Sequence, residues 1–166
     1  MSLASRLTRH PIPFDKGLGA DALTHLPDLA PELRPLIEGT AGCSPYLALL
    51  IGKEAEWLAE ALTRDPGDVQ SDLLKDTAAL ERADLESGLR QAKRRVHLYA
   101  ALADLGGVWT LEEVTGLISD FADAAVSVCL RRLLVPEARR GKIPGLSEED
   151  AATGAGMVAI AMGKMG

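Results

Sequence analysis

The chain has 166 residues, of which 47% are hydrophobic, 25% charged and only six aromatic; its net charge is −6 and its pI near 5.1. That acidity argues against a general nucleic-acid binder, which carries a basic face, and no run approaches the ~18 apolar residues of a membrane span. Alanine and leucine, both strong helix formers, dominate, so a mainly α fold is expected, in a chain long enough to hide roughly 70% of its unfolded surface.

Residues 1–19 carry Pro11, Pro13, Gly17 and Gly19 and read as an irregular leader. Two short helices are expected over 20–26 and 30–38, separated by Pro27, with Gly39 and Gly42 then breaking the chain. Ser44-Pro45 opens a firmer helix, because serine caps well and proline suits the first helical position. Leu47, Leu50, Ile51, Trp57, Leu58 and Leu62 recur at helical spacing and mark its buried side. Asp65-Pro66-Gly67-Asp68 ends it by turn chemistry, and a further helix is expected over 69–80.

A long helix is expected over 85–105. Its stripe is Leu85, Leu89, Ala92, Val96, Tyr99 and Ala103, with Arg90, Lys93, Arg94 and Arg95 mainly around the other sides. Gly106-Gly107 stops it. Thr110 and Glu113 form a capping box that starts a helix reaching about residue 135, with Val114, Leu117, Ile118, Phe121, Ala125 and Val128 inward. Pro136 either kinks its end or sits in a continuing last turn. Residues 141–156 are loop-like, apart from a helix N-terminus at Glu148-Glu149-Asp150 capped by Ser147. The apolar run from Met157 then reads as a buried strand entering a tight turn, Gly163-Lys164-Met165-Gly166. Such a turn gathers backbone N–H groups and an ammonium, which suits a phosphate and makes Gly163 and Lys164 the candidate phosphate-binding residues, although as a bare motif an ordinary strand-ending turn is the stronger reading. Met165 stands where a P-loop has Ser or Thr, so this is not that motif. The expected organisation is an irregular leader over 1–19, a helical segment over 20–153 and the start of a second, truncated domain over 154–166.

Other clusters favour structural roles. Arg90, Lys93, Arg94, Arg95 and His97 could bind a phosphate or an acidic surface, but a solvated, ion-paired helix face is the stronger reading. Arg131-Arg132 and Arg139-Arg140-Lys142 lie toward a helix C-terminus, where cations offset the dipole. His10, His25 and His97 have no metal-ligand spacing. Cys43 and Cys129 make neither a metal motif nor a disulfide framework and are expected to be small buried residues. With no secretory signal at the N-terminus, the cytoplasm is the expected compartment.

Three pieces of the chain resemble the N-terminal segment of the bifunctional glutamine-synthetase adenylyltransferase/adenylyl-removing enzymes. They are Cys43-Ser44-Pro45-Tyr46-Leu47-Ala48 with Glu54 and Trp57; Leu89-Arg90-Gln91-Ala92-Lys93-Arg94-Arg95 through Ala103-Asp104-Leu105-Gly106-Gly107; and Ala161-Met162-Gly163-Lys164-Met165-Gly166, similar to the family's G-M-G-K-L-G. The resemblance implies two polymerase-β-type nucleotidyltransferase domains, the first removing AMP from a tyrosine of glutamine synthetase by phosphorolysis. This chain would lead into that first domain, with Gly163-Lys164 against nucleotide phosphates. Paired aspartates holding Mg2+, with ATP, ADP and phosphate as the reactants, would lie downstream, leaving the 166 residues without catalytic or metal-binding residues of their own. Glutamine synthetase, and a PII-type nitrogen-signalling protein, are the partners so implied, with no membrane or nucleic acid. Without the family, a non-catalytic helical interaction module remains the alternative.

Overall fold

The computed structural model describes residues 1–160. The fold is mainly α. Its helices are α1 (Lys16–Thr24), α2 (Arg34–Cys43), α3 (Pro45–Lys53), α4 (Ala55–Ala61), α5 (Pro66–Ala79), α6 (Leu85–Leu105), α7 (Leu111–Arg139) and α8 (Glu148–Ala152), with single 3-10 turns at Ala4–Arg6, Pro31–Leu33 and Arg82–Asp84. The second half of α6 is the axis of the core. Val96, Leu98, Tyr99, Ala100, Leu102 and Ala103 are all buried there, on more than the one stripe expected. Burial spreads round a helix as neighbours cover more of its sides, and α2, α3, α5 and α7 all pack on α6.

Local signals fix the helix ends. Asp15, Ser44, Asp65, Thr110 and Ser147 each accept a backbone N–H at a helix start, the usual way an orphan donor is satisfied. The last carbonyls of α6 are closed by a Schellman motif. Val108 N–H donates to Ala103 O (2.8 Å) and Gly107 N–H to Asp104 O (2.9 Å), with Gly107 at φ +63°.

Gly39 and Gly42 do not break the chain. They lie inside α2, one turn apart, and are buried. The reason is an approach by the leader rather than a turn. A Cβ at Gly39 would stand 2.0 Å from the carbonyl oxygen of Pro11, and one at Gly42 2.6 Å from that of Asp15. The leader continues across the end of α6, where Thr8 N–H donates to Gly106 O (3.0 Å) and the Arg9 guanidinium to Asp104 O (2.9 Å). Leu3 is fully buried. Residues 1–15 thus form a strap, without a long helix but with defined partners.

The helix expected over 45–62 is jogged at Glu54, whose backbone (φ −115°, ψ 23°) separates α3 from α4. Cys43 is exposed and Cys129 half-buried, so neither is the buried small residue expected; both are free thiols. No strand is present among the described residues. Residues 157–160 have no regular secondary structure, and the rest of the expected strand lies outside the described residues. A strand is marginal without sheet neighbours, and here the first four residues of the run have none.

Helix α7 continues through Pro136 into its last turn. Proline has no N–H, so the carbonyl of Arg132, four residues earlier, loses its helical donor. The Arg82 guanidinium reaches that carbonyl instead, at 3.5 Å. Pro136→Ala restores the missing donor and is expected to raise unfolding stability by about 1 kcal/mol, less than the ~3 kcal/mol of a mid-helix proline because the site is near the end. Urea denaturation checks this; a lower midpoint would mean that the pyrrolidine ring's packing outweighs the lost hydrogen bond.

Candidate functional site

The most organised polar feature is built where α4 meets α6. Glu54 is 4% exposed, and its two carboxylate oxygens accept from two consecutive arginines: Oε1 from Arg94 Nε at 2.6 Å and Oε2 from Arg95 Nε at 2.9 Å. Such charge-assisted bonds are about twice as strong as neutral ones. The Arg95 guanidinium also lies 5.1 Å from the Trp57 ring centroid, in cation–π range. Trp57 packs edge-on to Tyr99, and Tyr99 edge-on to Trp109, with centroids 6.2 and 5.6 Å apart. Both tryptophans are packing anchors, as expected.

The jog at Glu54 has its cause here. Turning the chain at that residue aims the carboxylate inward at α6, and the arginines hold it there. With both oxygens engaged, Glu54 is not a free general base. It is a clamp between helices, and the cleft beside it is lined by Lys53, Glu56, Trp57, Gln91 and Arg95. The basic cluster on α6 therefore divides. Arg90 pairs with Glu86 on the surface, as a solvated face would. Arg94 and Arg95 instead reach a buried carboxylate 40 residues away, which the spacing alone did not reveal. His97 Nδ1 lies 3.3 Å from the Tyr46 hydroxyl; partial burial, and then Lys93, pull its pKa below the ordinary histidine value. The Tyr99 hydroxyl is fully buried without a hydrogen-bond partner among the described residues, and burial pushes its pKa up.

Two pieces of the sequence resemblance are thus one packed unit. Glu54 meets Arg94 and Arg95, Trp57 meets Arg95 and Tyr99, and Tyr46 meets His97. The third piece carries the candidate phosphate residues, Gly163 and Lys164, which lie outside the described residues. The approach to it is visible. Ser147 and Asp150 form a second capping box at the start of α8, and the chain then turns through Gly154, Ala155 and Gly156, all at positive φ. Glu148, at that helix start, pairs with Arg139 of α7 at 2.7 Å, and Glu137 with Arg140 and Lys142. The acidic triplet is a helix start, not a carboxylate pair for catalysis. Among the described residues no group of three or more His, Cys, Asp or Glu is placed to hold a metal ion. No helix there is long and apolar enough to cross a membrane.

Comparison with known proteins supplies the context of this geometry. The family model described as glutamate-ammonia ligase adenylyltransferase matches residues 36–166. Proteins named bifunctional glutamine synthetase adenylyltransferase/adenylyl-removing enzyme are similar: that of Bradyrhizobium sp. strain BTAi1 is 38% identical over 154 residues, or 84% of this chain. Those of Xanthobacter autotrophicus and Caulobacter vibrioides are 38% and 36% identical over 87% and 74% of it. The matches cover 16%, 15% and 13% of those proteins, so the chain spans about one-sixth of their length. No solved structure matches.

Proposed function

The chain belongs to the glutamate-ammonia ligase adenylyltransferase family, and from that premise we propose that it is the N-terminal helical segment of an enzyme that both adds AMP to a tyrosine of glutamine synthetase and removes it, and that it lies in the adenylyl-removing half. The observation that carries this reading is the family match, which runs from α2 to residue 166, together with relatives named for both activities. In this reading residues 154–166 begin a polymerase-β-type nucleotidyltransferase domain, and the run from Met157 becomes its first strand once sheet neighbours pair with it.

Within that domain the Lys164 ammonium and the backbone N–H groups at Gly163 would hold phosphate oxygens of ADP or of inorganic phosphate. Aspartate-held Mg2+ would supply charge neutralisation at the transferred phosphorus. The helical segment's own part is mechanical. The Glu54 clamp and the leader strap lock α2–α6 into one body, and α7 and α8 carry the chain from it to the phosphate turn. Glutamine synthetase is the protein partner, and a PII-type signalling protein a second, in the cytoplasm.

The test is Lys164→Ala in the full-length enzyme. Losing one charge-assisted hydrogen bond to phosphate is expected to weaken ADP and phosphate binding about tenfold, with the thermal midpoint little changed. Unchanged nucleotide affinity in a calorimetric titration would remove Lys164 from the phosphate site. The 166-residue chain by itself is expected to release no AMP from adenylylated glutamine synthetase.

A further inference from the structure

A groove of about 610 Å³ runs between the end of α5, the second half of α7 and α8, and four arginines face it: Arg82, Arg131, Arg132 and Arg139. Its occupant can be argued from what those guanidiniums are already doing. Arg132 Nε donates to Leu80 O (2.8 Å) and its Nη2 to Glu81 (2.8 Å). Arg139 Nε donates to Glu148. Arg82 makes the long bond to the carbonyl orphaned by Pro136. Arg131 donates to nothing among the described residues. Each guanidinium carries five N–H groups, and across the four arginines four of these are engaged by the described protein atoms.

The charge is equally one-sided. Four arginines line the groove beside one carboxylate, Glu81; Glu148, outside the lining, pairs with Arg139, and Glu137 is taken by Arg140 and Lys142. A local excess of two positive charges thus sits on a chain whose net charge is −6. That combination discriminates between partners. A long polyanion or an acidic protein surface meets the repulsion of the whole molecule. A small anion, fitting inside the groove, meets four arginines against the one lining carboxylate, Glu81. Forked guanidinium donors match phosphate oxygens two at a time. The floor between the arginines is apolar, Val135 and Pro136 with Ala78 and Ala152, which leaves room for a flat organic group beside the phosphates. The volume is in the range of small-ligand sites.

We propose that this groove binds a small phosphate-bearing anion, a pyrophosphate or a nucleoside polyphosphate, with Arg131 and Arg82 as the principal ligands and Arg132 and Arg139 as the fixed frame. The site is distinct in residues from Gly163 and Lys164 and does not rest on the role proposed for them.

Isothermal titration of the 166-residue chain with inorganic phosphate, pyrophosphate, ATP and adenosine tests it. Pyrophosphate and ATP are expected to bind, and to weaken as salt is raised, because exposed charges are screened. Tighter binding of ATP than of pyrophosphate would place the base on the apolar floor; equal binding would make the phosphates the whole ligand. Arg131→Gln removes a guanidinium with no structural partner, so the fold is retained while affinity falls about tenfold. Lys53→Gln, which removes a positive charge from α3, should leave affinity unchanged. Arg82→Gln should weaken binding too. The proposal is overturned if neither pyrophosphate nor ATP binds at millimolar concentration, if Arg131→Gln leaves affinity intact, or if a short polyglutamate peptide binds more tightly than pyrophosphate. If Lys164→Ala abolishes binding and Arg131→Gln does not, the phosphate sits on the glycine turn. That outcome rejects the groove while supporting the turn.

Discussion

Glu54→Ala is expected to destabilise the chain by about 3 kcal/mol, the low end of what breaking a buried ion pair costs. The low end applies because the stranded arginines are not sealed off: Arg94 and Arg95 side chains are 33% and 26% exposed and can recover hydration, whereas Glu54 is at 2%. For a chain of this size that corresponds to a fall in thermal midpoint of roughly 6–12 °C. Glu54→Gln should fall less, since an amide oxygen still accepts from one arginine. A cycle with Arg94→Ala separates clamp from packing. If the double variant is no worse than Glu54→Ala alone, the two side chains act as one unit. A change in stability below about 0.5 kcal/mol for Glu54→Ala, the scale of an ordinary surface substitution, would mean the clamp does not hold α4 to α6.

The second large effect is expected at Gly39. Alanine is ordinarily the better helix residue, by about 1 kcal/mol, so a mid-helix Gly→Ala change should stabilise wherever there is room. At Gly39 there is none. The new methyl would lie 2.0 Å from Pro11 O, a backbone atom that cannot rotate away. Either α2 or the leader must move, and Gly39→Ala is expected to cost about 2 kcal/mol net of the propensity gain. Gly116, inside α7, is the control. A Cβ there meets nothing within 4 Å, and Gly116→Ala should stabilise by about 0.5–1 kcal/mol. Opposite signs in parallel thermal melts would establish that the strap, and not helix propensity, decides the outcome at Gly39. A stabilised Gly39→Ala variant would show the strap unseated.

These two sites also show what the sequence exposes and what it hides. Helix starts were legible because capping is local chemistry. Ser44, Thr110 and Ser147 each do what their side chains permit. The end of α6 at Gly106-Gly107 was legible for the same reason. Gly39 and Gly42 misled, because a glycine pair reads as a break unless one knows what lies against it. Their spacing of three, one face of a helix, was the available signal. Glu54 was visible as part of a motif, but not its partners, since nothing local ties it to residues 94 and 95. The one-sided stripe on α6 underestimated burial because alanine and leucine on other faces look neutral until neighbours arrive. The apolar run from Met157 shows the converse limit. Its pattern favours a strand, yet residues 157–160 do not form one, because strand formation depends on a partner that no single segment supplies.

The leader strap orders events during synthesis. Its partners on α2 are made soon after it, but Asp104, Gly106 and Val108, which receive Arg9, Thr8 and Arg6, lie some hundred residues later. During synthesis the strap therefore stays without its far lock until α6 has cleared the exit tunnel. Chaperones and proteases reach that stretch before its lock exists. Loosening the far lock, at Gly107 for example, would lengthen that vulnerable interval without touching the residues at risk.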